Sequence, residues 1–187
     1  MKLIIINGPC GIGKSTTAKN LHESMPLSYL VDVDAIGRNI SHYREYQEER
    51  WELREAVAFA TVDAVLSVGR DVIVEKMIFG EDVLNKYQEI GERYGADIVE
   101  IILWASKEFV MRRADDRGWR EDGLLTPKKC ENFWEKMDEV KNKRSDAVIV
   151  DVKDMDQNGV LAAVKKIVDV LLAKQWLRIM IDKAEEL

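Results

Sequence analysis

The chain is poor in cysteine, histidine and proline, and each scarcity excludes something. Two cysteines, Cys10 and Cys130, stand far apart in 187 residues. They give neither a disulfide framework nor a CxxC metal pair, and the default expectation is a reduced, cytoplasmic setting. His22 and His42 are isolated and lack metal-ligand spacing, so both read as surface or capping residues. Three prolines make no Pro-rich linker, and low-complexity tracts and internal repeats are missing. One domain over residues 1–187 is therefore expected. Long apolar runs are absent too. Leu3–Ile6, closed by Asn7 and Gly8, is too short for a membrane span or a signal-peptide core, so no membrane partner is expected. A basic surplus is also lacking. A net charge of -6 and a pI near 5.1 argue against coating nucleic acid by counterion release. Extended nucleic-acid binding is not expected, although a local basic pocket for a nucleic-acid end is compatible with an acidic surface.

What is present is an alternation of short apolar runs with longer helical patterns. Leu3–Ile6, Tyr29–Val33, Asp71–Glu75, Ile98–Trp104 and Ala147–Val150 read as five strands. Helices are expected over Lys14–Ser24, Tyr43–Val68, Asp82–Tyr94 and Lys107–Ala114, then from Pro127 with Thr126 as its cap, and from about Asn158 onward. In the long Tyr43–Val68 pattern, Trp51, Val57, Ala58, Val62, Val65 and Leu66 form the expected inward face. Strands this short and apolar suit a parallel sheet covered on both faces. The expected fold is α/β, a doubly wound three-layer sandwich with a five-stranded, mostly parallel sheet. In such sheets ligands bind beyond the carboxyl ends of the strands, so the residues just after each strand are the first candidates for chemistry.

After the first strand comes Gly8-Pro9-Cys10-Gly11-Ile12-Gly13-Lys14-Ser15, which is GxxxxGK[ST] between a strand and a helix. Glycines let the backbone wrap closely around a polyphosphate. Successive N–H groups then form an anion nest, to which the following helix adds its positive end. Lys14 is placed to reach the β- and γ-phosphates, and the Ser15 hydroxyl to ligate Mg²⁺. Gly8, Gly11, Ile12, Gly13, Lys14, Ser15 and Thr16 are the expected nucleotide-binding set, with ATP and Mg²⁺ as cofactors. Cys10 occupies a variable position of the motif and reads as filler.

The second strand runs into Asp32-Val33-Asp34, where strand alternation puts both carboxylates on one side. Two jobs suit acids at this edge: ordering water around Mg²⁺ and accepting a proton from an acceptor hydroxyl. Strand-end or capping roles are the plainer alternatives for both. Arg38 follows about one helical turn after Asp34. Glu75 ends the third strand, as a Mg²⁺ ligand through water or as an ion-pair partner of Lys76 or Lys14. The metal set is thus Ser15, Asp32 and Glu75. The polar stretch after the fourth strand carries Arg112, Arg113, Arg117 and Arg120 and reads as a lid over about 112–126. Phosphoryl transfer needs cations on developing charge, and a lid brings them in while excluding water. Arg113 and Arg117, on one face if the helix continues, are the lid residues expected to act in catalysis beside Lys14 and Asp34. The Arg44–Arg54 segment reads as a solvated face, with a substrate contact left open because it follows Asp34. The tail bearing Trp176, Leu177, Ile179, Met180 and Ile181 reads as a packed or partner helix, and a homodimer is the partner it suits.

In the order of these segments the chain resembles the small P-loop kinases of the AAA_33 type, a group that includes polynucleotide, gluconate and shikimate kinases and chloramphenicol phosphotransferase. The residues carrying the likeness are Gly8–Ser15, Asp32 and Asp34, Arg112–Arg120 and Val148–Asp151. The resemblance implies that Asp34 is the general base or a Mg²⁺-shell ligand and that the loop Asp151–Asn158 borders the adenine. The function it implies is ATP-dependent transfer of the γ-phosphoryl group to a hydroxyl of a small acceptor: a metabolite, a nucleoside or nucleotide, an antibiotic or a nucleic-acid 5′ end. The alternative is a regulatory GTP- or ATP-binding switch. Asp34-Ala-Ile-Gly37 matches its DxxG, but Asn142-Lys143-Arg144-Ser145 puts serine where the base-reading NKxD needs aspartate.

Overall fold

The computed structural model describes residues 1–119 and 125–170. Five strands, β1 (Lys2–Asn7), β2 (Tyr29–Asp32), β3 (Val72–Glu75), β4 (Asp97–Trp104) and β5 (Val148–Asp151), form one sheet in the order β2-β3-β1-β4-β5. Every pairing is parallel. Between the strands run α1 (Lys14–Glu23), α2 (Val33–Arg38), α3 (Gln47–Ser67), α4 (Glu81–Arg93), α5 (Lys107–Asp116) and α6 (Pro127–Lys143). A further helix, α7, occupies 157–170. The α/β fold with a five-stranded parallel sheet is as expected.

Alternation along β1 divides the core in two. Ile4 and Ile6 face Ala18 and Leu21 of α1, Val110 and Ala114 of α5 and Val164 of α7. Leu3 and Ile5 face Ala58, Val62 and Leu66 of α3 and Tyr87 and Ile90 of α4. All four β1 side chains are fully buried, so β1 is apolar on both faces because helices cover both. Strand order reverses at β1, between β3 on one side and β4 on the other. The crevice that such a reversal opens lies at the carboxyl end of β1, where the glycine-rich loop begins.

Some boundaries moved for physical reasons. α2 starts at Val33, so the chain leaves the strand one residue earlier than its apolar pattern implies. The Asp32 carboxylate accepts from Ala35 N at 2.8 Å and caps the helix. α3 opens at Gln47 rather than Tyr43. Trp51 and Val57, expected to face inward, are about half exposed, while Arg54 on the same helix is buried. Thr126 caps α6 as expected, its Oγ1 accepting from Lys129 N, with Pro127 in the first turn. A buried polar knot ties the sheet to α6: Asn7 Nδ2 donates to Glu100 at 2.7 Å, and Glu100 pairs with Arg144, both nearly inaccessible. Each partner satisfies a group that would be costly alone in the core.

Candidate functional site

The loop from Gly8 to Gly13 joins β1 to α1 and holds three glycines at positive φ: Gly8 at 136°, Gly11 at 74° and Gly13 at 110°. Gly8 is required twice over. Its φ suits only glycine, and a Cβ there would collide with the carbonyl oxygen of Leu103 on β4. Gly8→Ala is therefore expected to cost about 2–5 kcal/mol, read as a fall in denaturation midpoint with unchanged slope. A Cβ at Gly13 would meet nothing within 4 Å. Gly13 lies at the N-terminus of α1 with no side-chain cap, so the first-turn N–H groups are left to a ligand.

Lys14 is buried, and its Nζ donates to the Pro9 carbonyl at 3.0 Å across the loop. Burial lowers its pKa, and the nearby Glu75 carboxylate acts against that. Glu75, at the end of β3, is 6% exposed. Burial raises its pKa, while Lys14 and a hydrogen bond from Ser15 lower it. Both shifts have one cause: each charge is withheld from water and offset mainly by the other. An incoming polyphosphate would add negative charge beside Lys14 and stabilise its ammonium form.

These groups open onto a cavity of about 570 Å³. Gly11, Lys14, Ser15 and Glu75 line it together with Asp34, Tyr43, Arg50, Trp51, Arg54 and Phe79, and Arg117 also borders it. Lys14, Ser15, Asp34, Glu75 and Arg117 are thus brought to one cavity. Asp32 is not among the lining residues. Its carboxylate is taken up by the α2 cap and by Arg38 at 3.5 Å. The alternation expected to align it with Asp34 fails because Asp34 stands on a helix. Arg113 packs over the Phe109 ring instead of lining the cavity. α5 ends at Asp116 with Arg117 as its C-cap, still in helical conformation, and Gly118 turns away at φ 79°. Arg120 lies outside the described residues.

The Arg44–Arg54 segment is the part that sequence reasoning misjudged. Arg54 is 7% exposed, reaches the carboxylates of Asp34 at 3.6 Å and Glu55 at 3.0 Å, and lies 4.4 Å beneath the Trp51 ring. Glu55 also pairs with Lys76, just after β3. Asp34 itself is mostly exposed, and this buried guanidinium is its ion-pair partner at the cavity edge. Arg50 donates to the Tyr43 carbonyl at 2.7 Å and forms no ion pair among the described residues. Among the same residues, the Nε atoms of Arg50 and Arg54 are both buried without a hydrogen-bond partner. The available signal was their i, i+4 spacing with Trp51 between them, directly after Asp34.

No cluster of three or more His, Cys, Asp or Glu suited to holding a metal exists among the described residues. The hydroxyl of Ser15 and the carboxylate of Glu75, which line the same cavity, nevertheless fit Mg²⁺. That ion takes hard oxygen donors, keeps several waters and needs only one or two protein ligands beside phosphate. Among the described residues no helix is long and apolar enough to cross a membrane.

Residues 3–132 match the family model AAA_33, described as an AAA domain. No curated protein matches the sequence. Solved structures with this fold include a gluconokinase from Sinorhizobium meliloti 1021, at TM-score 0.61 and 18% identity over 92% of this chain and 97% of that one. A shikimate kinase from Acinetobacter baumannii, in complex with shikimate, aligns at TM-score 0.62 and 17% identity over 93% and 94%. A chain of the Pnkp1/Rnl/Hen1 RNA repair complex aligns at TM-score 0.67 and 21% identity, over 78% of this chain and 47% of that one. At these identities the likeness is one of fold.

Proposed function

The chain belongs to the AAA_33 family of AAA domains, and on that premise we propose that it is an ATP-dependent kinase that transfers the γ-phosphoryl group to a hydroxyl of a small acceptor. The observation that carries this reading is that one cavity is lined both by the phosphate-loop residues Gly11, Lys14 and Ser15 and by the Asp34 carboxylate, which pairs with Arg54. A slowly hydrolysing switch needs only the phosphate-loop residues. Asp34–Gly37, the apparent DxxG, is a turn of α2, where Gly37 makes room for the stem of Arg54, whose Cδ lies 3.0 Å from where a Cβ would stand.

The roles follow from position. The loop N–H groups and the α1 N-terminus cradle the phosphates, and Lys14 follows charge onto the transferring group. Ser15 and Glu75 would hold Mg²⁺, which supplies charge neutralisation between the β- and γ-phosphates when bound. Asp34 accepts the acceptor's hydroxyl proton, its carboxylate aimed by Arg54. Arg117 approaches from the lid side, where developing charge on the transferring group would attract it. Tyr43, Trp51 and Phe79 give the acceptor an apolar wall. Arg50, which forms no ion pair among the described residues, and the two Nε donors without a partner there favour an acceptor that carries a carboxylate or phosphate near its hydroxyl. A phosphorylated nucleic-acid end satisfies that description as well as a sugar acid does.

ADP release from ATP–Mg²⁺, followed across hydroxylated acids, nucleotides, neutral polyols, aminoglycosides, chloramphenicol and 5′-OH oligonucleotides, tests the proposal. Stimulation by an anionic acceptor, with its neutral analogue at least about tenfold weaker in kcat/KM, is the expected outcome. Equal stimulation by both would remove Arg50 from acceptor binding. A marked preference for GTP with no stimulation by any acceptor would favour the switch.

A further inference from the structure

The two cysteines that the sequence separates are in contact in the fold. Cys10 Sγ lies 2.6 Å from Cys130 Sγ and 4.0 Å from the Cys130 carbonyl oxygen. This is closer than the about 3.5–4.0 Å of ordinary non-bonded contact. Cys10 stands in the phosphate loop between Pro9 and Gly11, half-buried. Cys130 is fully buried in the first turn of α6, against Val110 and Ala114 of α5. The same wall packs on the loop at Gly11, where a Cβ would meet Ala114 Cβ at 3.6 Å. Two small apolar side chains filling the core is the plain reading. It does not account for the only two cysteines of the chain meeting sulfur to sulfur at the nucleotide site.

We propose that Cys10 and Cys130 are a reversible disulfide-forming site, oxidised by a peroxide, that pins the phosphate loop to α6 and lowers ATP turnover. Its turnover clause rests on the kinase reading, whereas the bond itself does not. One sulfur, as thiolate, attacks a peroxide oxygen. The O–O bond breaks, a sulfenic acid forms, and the departing hydroxide leaves as water with that thiol's proton. The second sulfur displaces the sulfenic oxygen, which leaves as a second water with the second proton. Two thiols lose two electrons, and one hydrogen peroxide becomes two waters. A dithiol reductant restores both thiols by exchange.

Burial and the Cys130 contact push the Cys10 thiol up to about 12, while the charge of Lys14 pulls it down. At neutral pH Cys10 is held as a thiol, so the site answers to sustained oxidant rather than to traces. The consequence for function follows from position. Cys10 is flanked by Pro9, whose carbonyl accepts from Lys14, and by Gly11, which lines the cavity. A bond from Cys10 to α6 fixes that loop in one conformation, and a loop that cannot adjust around its nucleotide turns over more slowly.

The test treats the full-length protein with hydrogen peroxide. Intact mass is expected to fall by about 2 Da with loss of both free thiols, and a non-reduced digest to link residues 10 and 130. Closing a loop this long is expected to raise Tm by about 10 °C. ADP release is expected to drop about fivefold or more and to recover with dithiothreitol. Cys130→Ala, or Cys130→Val should the smaller side chain leave the core underfilled, is expected to keep its turnover through the same treatment. Two free thiols surviving the peroxide, linked protein with unchanged turnover, or a Cys130 variant inhibited as strongly as the parent would each overturn the proposal. A wild-type protein with no ATP turnover at all defeats the kinase reading instead, while mass and Tm still decide whether the bond forms.

Discussion

Lys14→Ala is expected to lower kcat/KM for ATP by about 10²–10³, with the fold retained. The ammonium sits inside the loop on the Pro9 carbonyl, aimed at the space the glycines enclose. Removing one such preorganised group from a transition state typically has an effect of that size. Arg117 borders the same cavity from the end of α5 and does not stand in the loop. The substitution also leaves Glu75 buried without the charge that now offsets its burial. Its pKa, already raised, would rise further, and the carboxylate can take a proton rather than stand unpaired. Steady-state kinetics give the fold-change, and a thermal melt on the same sample shows whether the loss is catalytic or structural. Turnover within about fivefold of wild type would remove Lys14 from the chemistry.

Asp34→Asn is expected to separate nucleotide binding from transfer. Asparagine keeps the shape but gives up the charge that faces Arg54, and it cannot take the acceptor's proton. kcat for phosphorylation should fall by about 10²–10⁴, while affinity for ATP–Mg²⁺ stays within about twofold, since Asp34 stands on α2 and is not part of the phosphate loop. Direct nucleotide titration and acceptor-dependent ADP release, run side by side, read the two quantities. Loss of nucleotide affinity instead would place Asp34 at the metal. An unchanged kcat would leave Glu75 as the remaining acid lining the cavity.

What could be read from the sequence was what is decided locally. The phosphate loop is a contiguous motif whose glycines are each answerable to a φ angle, so its place after β1 followed from eight residues. The parallel sheet followed from β1, β3 and β4 being apolar on both faces. The Thr126–Pro127 start of α6 needed only neighbours in sequence. Legibility ended where side chains meet across the fold. Asp32 and Asp34 look equivalent in the chain, and one early turn into α2 separates them: a cap for one, the cavity edge for the other. Arg54 looks like part of a solvated charged face, and only Glu55, Asp34 and Trp51 gathered around it make it a buried support. Cys10 looked like filler because its partner stands on α6, beyond the reach of any spacing rule. Arg113 and Arg117 were grouped by helical spacing, and only their surroundings distinguish them: Arg113 lies over the Phe109 ring, while Arg117 borders the cavity.

The most direct test of the central claim follows the label from γ-³²P-ATP in the presence of the acceptor that best stimulates ADP release. The account predicts that label appears on the acceptor in step with ADP, and that both disappear in Asp34→Asn while nucleotide still binds. Label recovered only as inorganic phosphate, at a rate indifferent to acceptor, would contradict it and leave a nucleotide hydrolase or switch.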